Sequence, residues 1–197
     1  MIMKKLLLTI FATGLIASLA ACSSSNSDTS AEGTSDNTTA AETSQAKTPD
    51  DGSAVSATFM AYDTDGTLQS SDKWIGKQPV VINFWGTWCP PCRKEIPDMV
   101  KVYNEYAGKN IEMIGLAVND TPEKVVTFAN QNKMNWVLLM ADESVVAEFA
   151  PIRGVPTTVF LDHTGKEVHR FVGPISYEQL KQAFDALLDI QAQAQKS

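Results

Sequence analysis

Three features of this 197-residue chain predict an α/β fold. The run Pro79-Val80-Val81-Ile82-Asn83-Phe84-Trp85 is almost unbroken in its apolar character, as a strand buried on both faces must be. It leads within a few residues into a helical segment that opens at Pro90. Strand and helix patterns then alternate, with a hairpin and a long amphipathic helix at the end, an order that builds a sheet with helices on its faces.

The chain opens Met1-Ile2-Met3-Lys4-Lys5, followed by an apolar run from Leu6 to Ala21 and then Cys22. Two lysines, a short apolar stretch and small residues are the layout of a secretory leader. The run is short for a membrane span, which needs about 20 apolar residues. Residues 1–21 are expected to be removed. Loss of Lys4 and Lys5, with no acid, takes the formal charge from −7 to −9. No basic patch appears, so a nucleic-acid partner is not expected.

Residues 22–53 read as a tether. From Ser23 to Ser53 there is no aromatic or branched aliphatic residue. Such a stretch cannot bury enough apolar surface to offset its ordering entropy. As a coil it spans on the order of 30 Å. The folded domain is expected over residues 54–190, acting as a monomer, with 191–197 frayed.

Within the domain, Asp63-Thr64-Asp65-Gly66 predicts the turn of a first hairpin. The helix from Pro90 is expected to reach Ala107 and stop at Gly108. Ile111–Val118 is a second buried strand. Thr121-Pro122-Glu123 opens the next helix with a cap, an early proline and an acid, and this helix runs to about Asn132. Trp136–Met140 is a short strand, and Asp142 caps a short helix reaching Phe149. Thr157–Asp162 and Lys166–Val172 flank a turn at Gly165. Ser176-Tyr177-Glu178-Gln179 is a capping box that starts a final helix ending near Ile190.

The chemistry lies in Trp88-Cys89-Pro90-Pro91-Cys92. Three cysteines in an exported chain need accounting for. Cys89 falls where a strand ends and a helix begins, among backbone N–H groups that favour a thiolate. The thiolate is the form that attacks a disulfide. Cys92 is one helical turn further in, close enough to close a disulfide and expected to be the more buried. Cys89 is therefore the expected nucleophile and Cys92 the resolving thiol, with Trp88 packed against this corner to cover the pair. Zinc needs about four ligands, and only His163 and His169 accompany one CxxC. A purely structural bridge over so short a loop constrains little chain. Glu95, three residues after Cys92, shares its helical face. A partly buried carboxylate there has a raised pKa and can take and return a proton near neutrality. A solvated surface acid is the alternative.

Phe84-Trp85-Gly86-Thr87-Trp88-Cys89-Pro90-Pro91-Cys92-Arg93-Lys94-Glu95-Ile96-Pro97 resembles the active-site segment of TlpA/ResA-type thioredoxin-like proteins. Gly154-Val155-Pro156-Thr157-Thr158-Val159-Phe160 resembles the same family's second signature. Leu19-Ala20-Ala21-Cys22 resembles a bacterial lipobox, which implies a lipid on Cys22 and attachment outside the cytoplasmic membrane. The resemblance implies a thioredoxin-like fold: a central mixed sheet flanked by helices, with an N-terminal hairpin and a central insertion. It implies that Pro156 follows a cis bond opposite the cysteines, so that Val155 offers its backbone to a client segment as an added strand. Pro97 matches the kink proline of the thioredoxin helix. Asn83 stands where thioredoxins carry a buried aspartate. An amide cannot exchange protons, which leaves Glu95 as the candidate base.

The implied activity is thiol–disulfide exchange on exported client proteins through a redox-active Cys89–Cys92 disulfide, with no other cofactor. No nucleotide-binding fingerprint is present, so electrons are expected from a membrane thiol carrier. Apocytochrome c cysteines or an exported peroxide- or methionine-sulfoxide-repair enzyme are candidate clients. Reduction is the expected direction. Pro90 and Pro91 supply no N–H to Cys89, and no histidine lies between the cysteines. Arg93 is expected to lie in solvent, where its charge is screened. Two other readings stay open: an oxidase of the same fold, and a copper-delivery protein with His163 as third ligand. A peroxiredoxin is excluded because Gly86 occupies its threonine position.

Overall fold

The computed structural model describes residues 58–196. The expected leader over residues 1–21, Cys22 and the expected tether to residue 53 lie outside the described residues. The expected first hairpin forms from β1 (Met60–Asp63) and β2 (Leu68–Ser70), antiparallel, with Tyr62 opposite Leu68. The Asp63 carboxylate accepts the N–H groups of Asp65 and Thr67, and Gly66 takes the positive φ of +80° that the turn requires. A 3-10 turn over Ser71–Lys73, absent from the sequence reading, follows. Its buried Ser71 hydroxyl accepts the N–H of Phe59 at 2.8 Å and closes the open end of the hairpin, while β1 joins the rest of the sheet through β5.

The apolar run forms β3 (Val80–Trp85), buried at all six positions. It feeds helix α1 (Pro90–Glu105), which continues through Pro97; the chain turns at Gly108 with φ +81°. The rest are β4 (Glu112–Val118), α2 (Pro122–Asn132), β5 (Val137–Ala141), α3 (Glu143–Glu148), β6 (Thr157–Leu161), β7 (Glu167–Val172) and α4 (Tyr177–Ala194). Asp142 caps α3 through Val145 N–H, and both halves of the Ser176–Gln179 capping box are made. Thr121 stands at the N-cap of α2, but its side chain makes no capping bond.

One boundary departs from expectation by a full turn. Helix α4 runs to Ala194 rather than ending near Ile190 with a frayed tail. Gln191-Ala192-Gln193-Ala194 are good helix formers with no breaker among them, so the helix continues where its apolar stripe stops.

The sheet is mixed and seven-stranded, in the order β2-β1-β5-β4-β3-β6-β7. β3, β4 and β5 are parallel, and the remaining pairs are antiparallel. A β-α-β half (β3, α1, β4) and a β-β-α half (β6, β7, α4) are separated by α2, β5 and α3, the central insertion. One core, with Val81, Trp85, Ile96, Met99, Phe160 and Phe184, lies between the sheet and helices α1 and α4. The other, with Ile82, Phe84, Leu116, Leu139 and Phe149, fills the opposite face under α3.

Gly115 of β4 is the register partner of Asn83 on β3. A Cβ there would come within 2.8 Å of Leu138 and 3.0 Å of the indole nitrogens of both Trp85 and Trp136. The missing side chain is what lets two tryptophans share this face beneath the site. Gly115→Ala is therefore expected to cost about 2 kcal/mol, the range of overpacking in a filled core, read as a lower denaturant midpoint. An unchanged midpoint would show that the indoles have room to move.

Candidate active site

The site is built at the C-terminal end of β3. Cys89 is the N-cap of α1 and Cys92 lies in its first turn; the two are joined in a disulfide. Of the first four helical positions, Pro90 and Pro91 carry no N–H. The N–H of Cys92 points at the sulfur of Cys89 at 3.2 Å, and that of Arg93 bonds the Cys89 carbonyl at 3.1 Å. The Cys89 sulfur therefore has one backbone donor from the helix end. In this disulfide form the two cysteines are 2% and 0% exposed, so the expected difference in burial is small.

The loop before the pair is fixed from β4. Thr87 N–H donates to the Asp120 carboxylate at 2.6 Å, and Trp88 Nε1–H donates to the Val118 carbonyl at 3.0 Å. Trp88 packs at this corner against Gly86 and the end of β4. A Cβ on Gly86 would fall 2.5 Å from its indole nitrogen. The residue is 53% exposed and extends the surface beside the disulfide.

From the other side comes the segment before β6. The Val155–Pro156 peptide bond is cis, and the Val155 carbonyl oxygen lies 3.7 Å from Cys89 Sγ. A second cis bond, Ala150–Pro151, was not foreseen; nothing in the sequence around Pro151 marks it. Arg170 donates to the carbonyls of Phe149 and Pro151 that flank it.

Glu95 faces inward and is 3% exposed. Oε1 accepts from the Asn83 amide at 3.1 Å, and Oε2 accepts from the Ile175 backbone N–H at 2.9 Å. Burial disfavours the charged carboxylate and pushes its pKa up to about 7, against the two N–H donors, which lower it. Arg93 is exposed as expected, but its guanidinium sits over the Phe128 ring, 5.8 Å from the centroid. His163 is not brought to the cysteines. It follows β6 at the end opposite Pro156, one five-residue strand, or about 17 Å, away. Among the described residues no three His, Cys, Asp or Glu side chains converge as a metal site.

A disulfide closed at a helix N-terminus, a proline-bearing segment beside it and a β-α-β/β-β-α sheet define a thioredoxin-like thiol–disulfide oxidoreductase. A family model described as Redoxin matches residues 43–187, and the chain belongs to that family. Within it the chain is of the TlpA/ResA type. The thiol–disulfide oxidoreductase ResA of Bacillus anthracis is 35% identical over 124 residues, covering 62% of this chain and 70% of that protein. A thioredoxin-family thiol:disulfide interchange protein from Chlorobium tepidum TLS superposes with a TM-score of 0.61 at 32% identity, over 66% of this chain and 93% of its own. StoA from Bacillus subtilis superposes with a TM-score of 0.56 at 25% identity, over 66% and 98%.

The raised Glu95 carboxyl has a consequence for stability. Below its ordinary value both folded and unfolded chains hold the proton, and nothing changes. Above it the unfolded chain ionises first, so stability falls as pH rises until the folded group also ionises near 7. Glu95→Gln removes this penalty. Denaturant unfolding of the disulfide form at pH 4 and pH 8 is expected to favour the variant by roughly 3 kcal/mol more at the higher pH. A pH-independent difference would place Glu95 in contact with solvent.

Proposed function

We propose that this enzyme reduces disulfides of exported proteins at the outer face of the cytoplasmic membrane, held there by a lipid on Cys22 after removal of residues 1–21. The observation that carries the direction is the poor donor set around Cys89. A strong oxidant needs a heavily stabilised thiolate. Here two of the first helical positions are prolines, one N–H reaches the sulfur, and the guanidinium of Arg93 on the same first turn lies over Phe128. A modest thiolate makes a reducing couple.

In the reduced enzyme the Cys89 thiolate attacks a client disulfide and one client sulfur leaves. Client chain alongside Val155 and over Trp88 aligns the scissile bond. Cys92, as a thiolate, then attacks Cys89 Sγ, closes the Cys89–Cys92 disulfide and releases the second client sulfur. Glu95, poised near neutrality and one helical turn from Cys92, accepts the proton that Cys92 must lose. A membrane thiol carrier of lower potential restores the dithiol. The cysteines carry the redox chemistry without a further cofactor.

Equilibration of the purified protein with glutathione and with dithiothreitol tests the direction. The couple is expected near the thioredoxin value of about −270 mV, far from the roughly −120 mV of a strong periplasmic oxidase. A value above about −180 mV would overturn the reductase assignment.

A further inference from the structure

Asn83 interrupts an otherwise apolar strand and is 1% exposed. A polar side chain at such a position costs free energy unless its hydrogen bonds are made. Its Nδ2 makes two, to Glu95 Oε1 at 3.1 Å and to Thr158 Oγ1 at 3.1 Å. Asn83 and Thr158 are register partners in the antiparallel β3–β6 pair, so the brace belongs to the sheet itself. The second carboxylate oxygen is held by Ile175 N–H. Two residues before it, Gly173 N–H donates to the Pro156 carbonyl at 2.9 Å. Each Glu95 oxygen has one donor, and each donor is tied to the 156–158 segment beside the cysteines.

We propose that Asn83 is a positioning residue for the resolving step: braced by Thr158, its amide holds the Glu95 carboxylate one helical turn from Cys92 and sets how readily that carboxylate trades a proton. This rests on Glu95 being the acceptor for Cys92. In that step the Cys92 S–H gives its proton to the carboxylate, and the resulting thiolate attacks Cys89 Sγ. The bond between Cys89 and the client sulfur breaks, and the client sulfur leaves with the electron pair and takes a proton from water. The enzyme dithiol is oxidised to the disulfide, and the client disulfide is reduced to two thiols.

Two opposing effects act on Glu95. Burial alone would keep it protonated through neutral pH, unable to accept anything. Donors alone would make it too weak a base. The Ile175 N–H is backbone and cannot be tuned by side-chain choice, whereas the amide of residue 83 can. An aspartate at position 83 would set a second carboxylate against Glu95, and the two could not both ionise. The groups that act on Glu95 are the Asn83 amide from β3 and the Ile175 N–H ahead of α4; Cys92 precedes it by three residues on α1, and Thr158 of β6 stands behind Asn83. With the disulfide closed, none of them is charged or titrates.

The disulfide form of the full-length chain therefore offers a clean titration. Carbon-13 NMR of labelled glutamate carboxyls follows Glu95, with its midpoint near pH 7 in wild type. Asn83→Leu removes one donor to the charged form and is expected to raise that midpoint by about one pH unit. The pH profile of the resolving step is expected to move with it. That profile is read as release of an aromatic thiol from a mixed disulfide on Cys89. Thr158→Val keeps the amide but removes its brace, and is expected to move both readouts the same way by less. It decides the matter if Asn83→Leu does not fold. An unchanged resolving profile in Glu95→Gln would overturn the Glu95 reading and this one together. An altered profile in Glu95→Gln, beside wild-type midpoints in both the Asn83 and Thr158 variants, would overturn the role of Asn83 alone.

Discussion

Helix α1 starts one residue after Cys89, and the placement of that start governs the site. It is possible because β3 is buried on both faces and pinned between β4 and β6, so its C-terminal end cannot wander. The N-cap position hands the Cys89 sulfur the N–H of Cys92. The same helix carries Cys92 and Glu95 inward at a three-residue spacing. On this arrangement reactivity is set by how many backbone donors reach one sulfur, and the two prolines hold that number down. The neighbouring strand β6 brings Val155 to within 3.7 Å of the same atom.

The buried polar groups form a second layer under the cysteines. Asn83, Thr158 and Glu95 sit in an apolar core, and their mutual hydrogen bonds make that tolerable. The arrangement costs stability from the ordinary glutamate range upward, and the cost is complete by the time Glu95 ionises near 7, where the proposed proton transfer takes place. A site that needed only stability would carry a glutamine or an apolar residue there. Gly115, next to Asn83 across the sheet, leaves room for Trp85 and Trp136 to close the remaining space.

Much of this was legible in the sequence because the signals were local. The β3 run, the capping box at Ser176, the Asp63–Gly66 turn and the CxxC at a strand–helix junction each need only a few adjacent residues. Features set by distant partners were not legible. The 3-10 turn depends on Ser71 meeting Phe59 across the hairpin. The cis bond before Pro151 carries no local mark, and Trp88 is aimed by Val118 and by the bareness of Gly86. Asn83 is the instructive case. An amide in place of an aspartate removes a base, and inside an apolar strand it also signals a buried partner, which is Glu95. The continuation of α4 to Ala194 was missed because the apolar stripe ends before the helix-forming residues do.

The central claim is that the helix N-terminus makes Cys89 the attacking sulfur, with only modest help. Timed alkylation of the reduced protein across pH, with each cysteine followed by peptide mass, measures this directly. Cys89 is expected to react first at every pH, with an apparent pKa below the free-cysteine value of about 8.5 and well above the roughly 3.5 of the strongest oxidants. Faster modification of Cys92 at mildly acid pH would contradict the account.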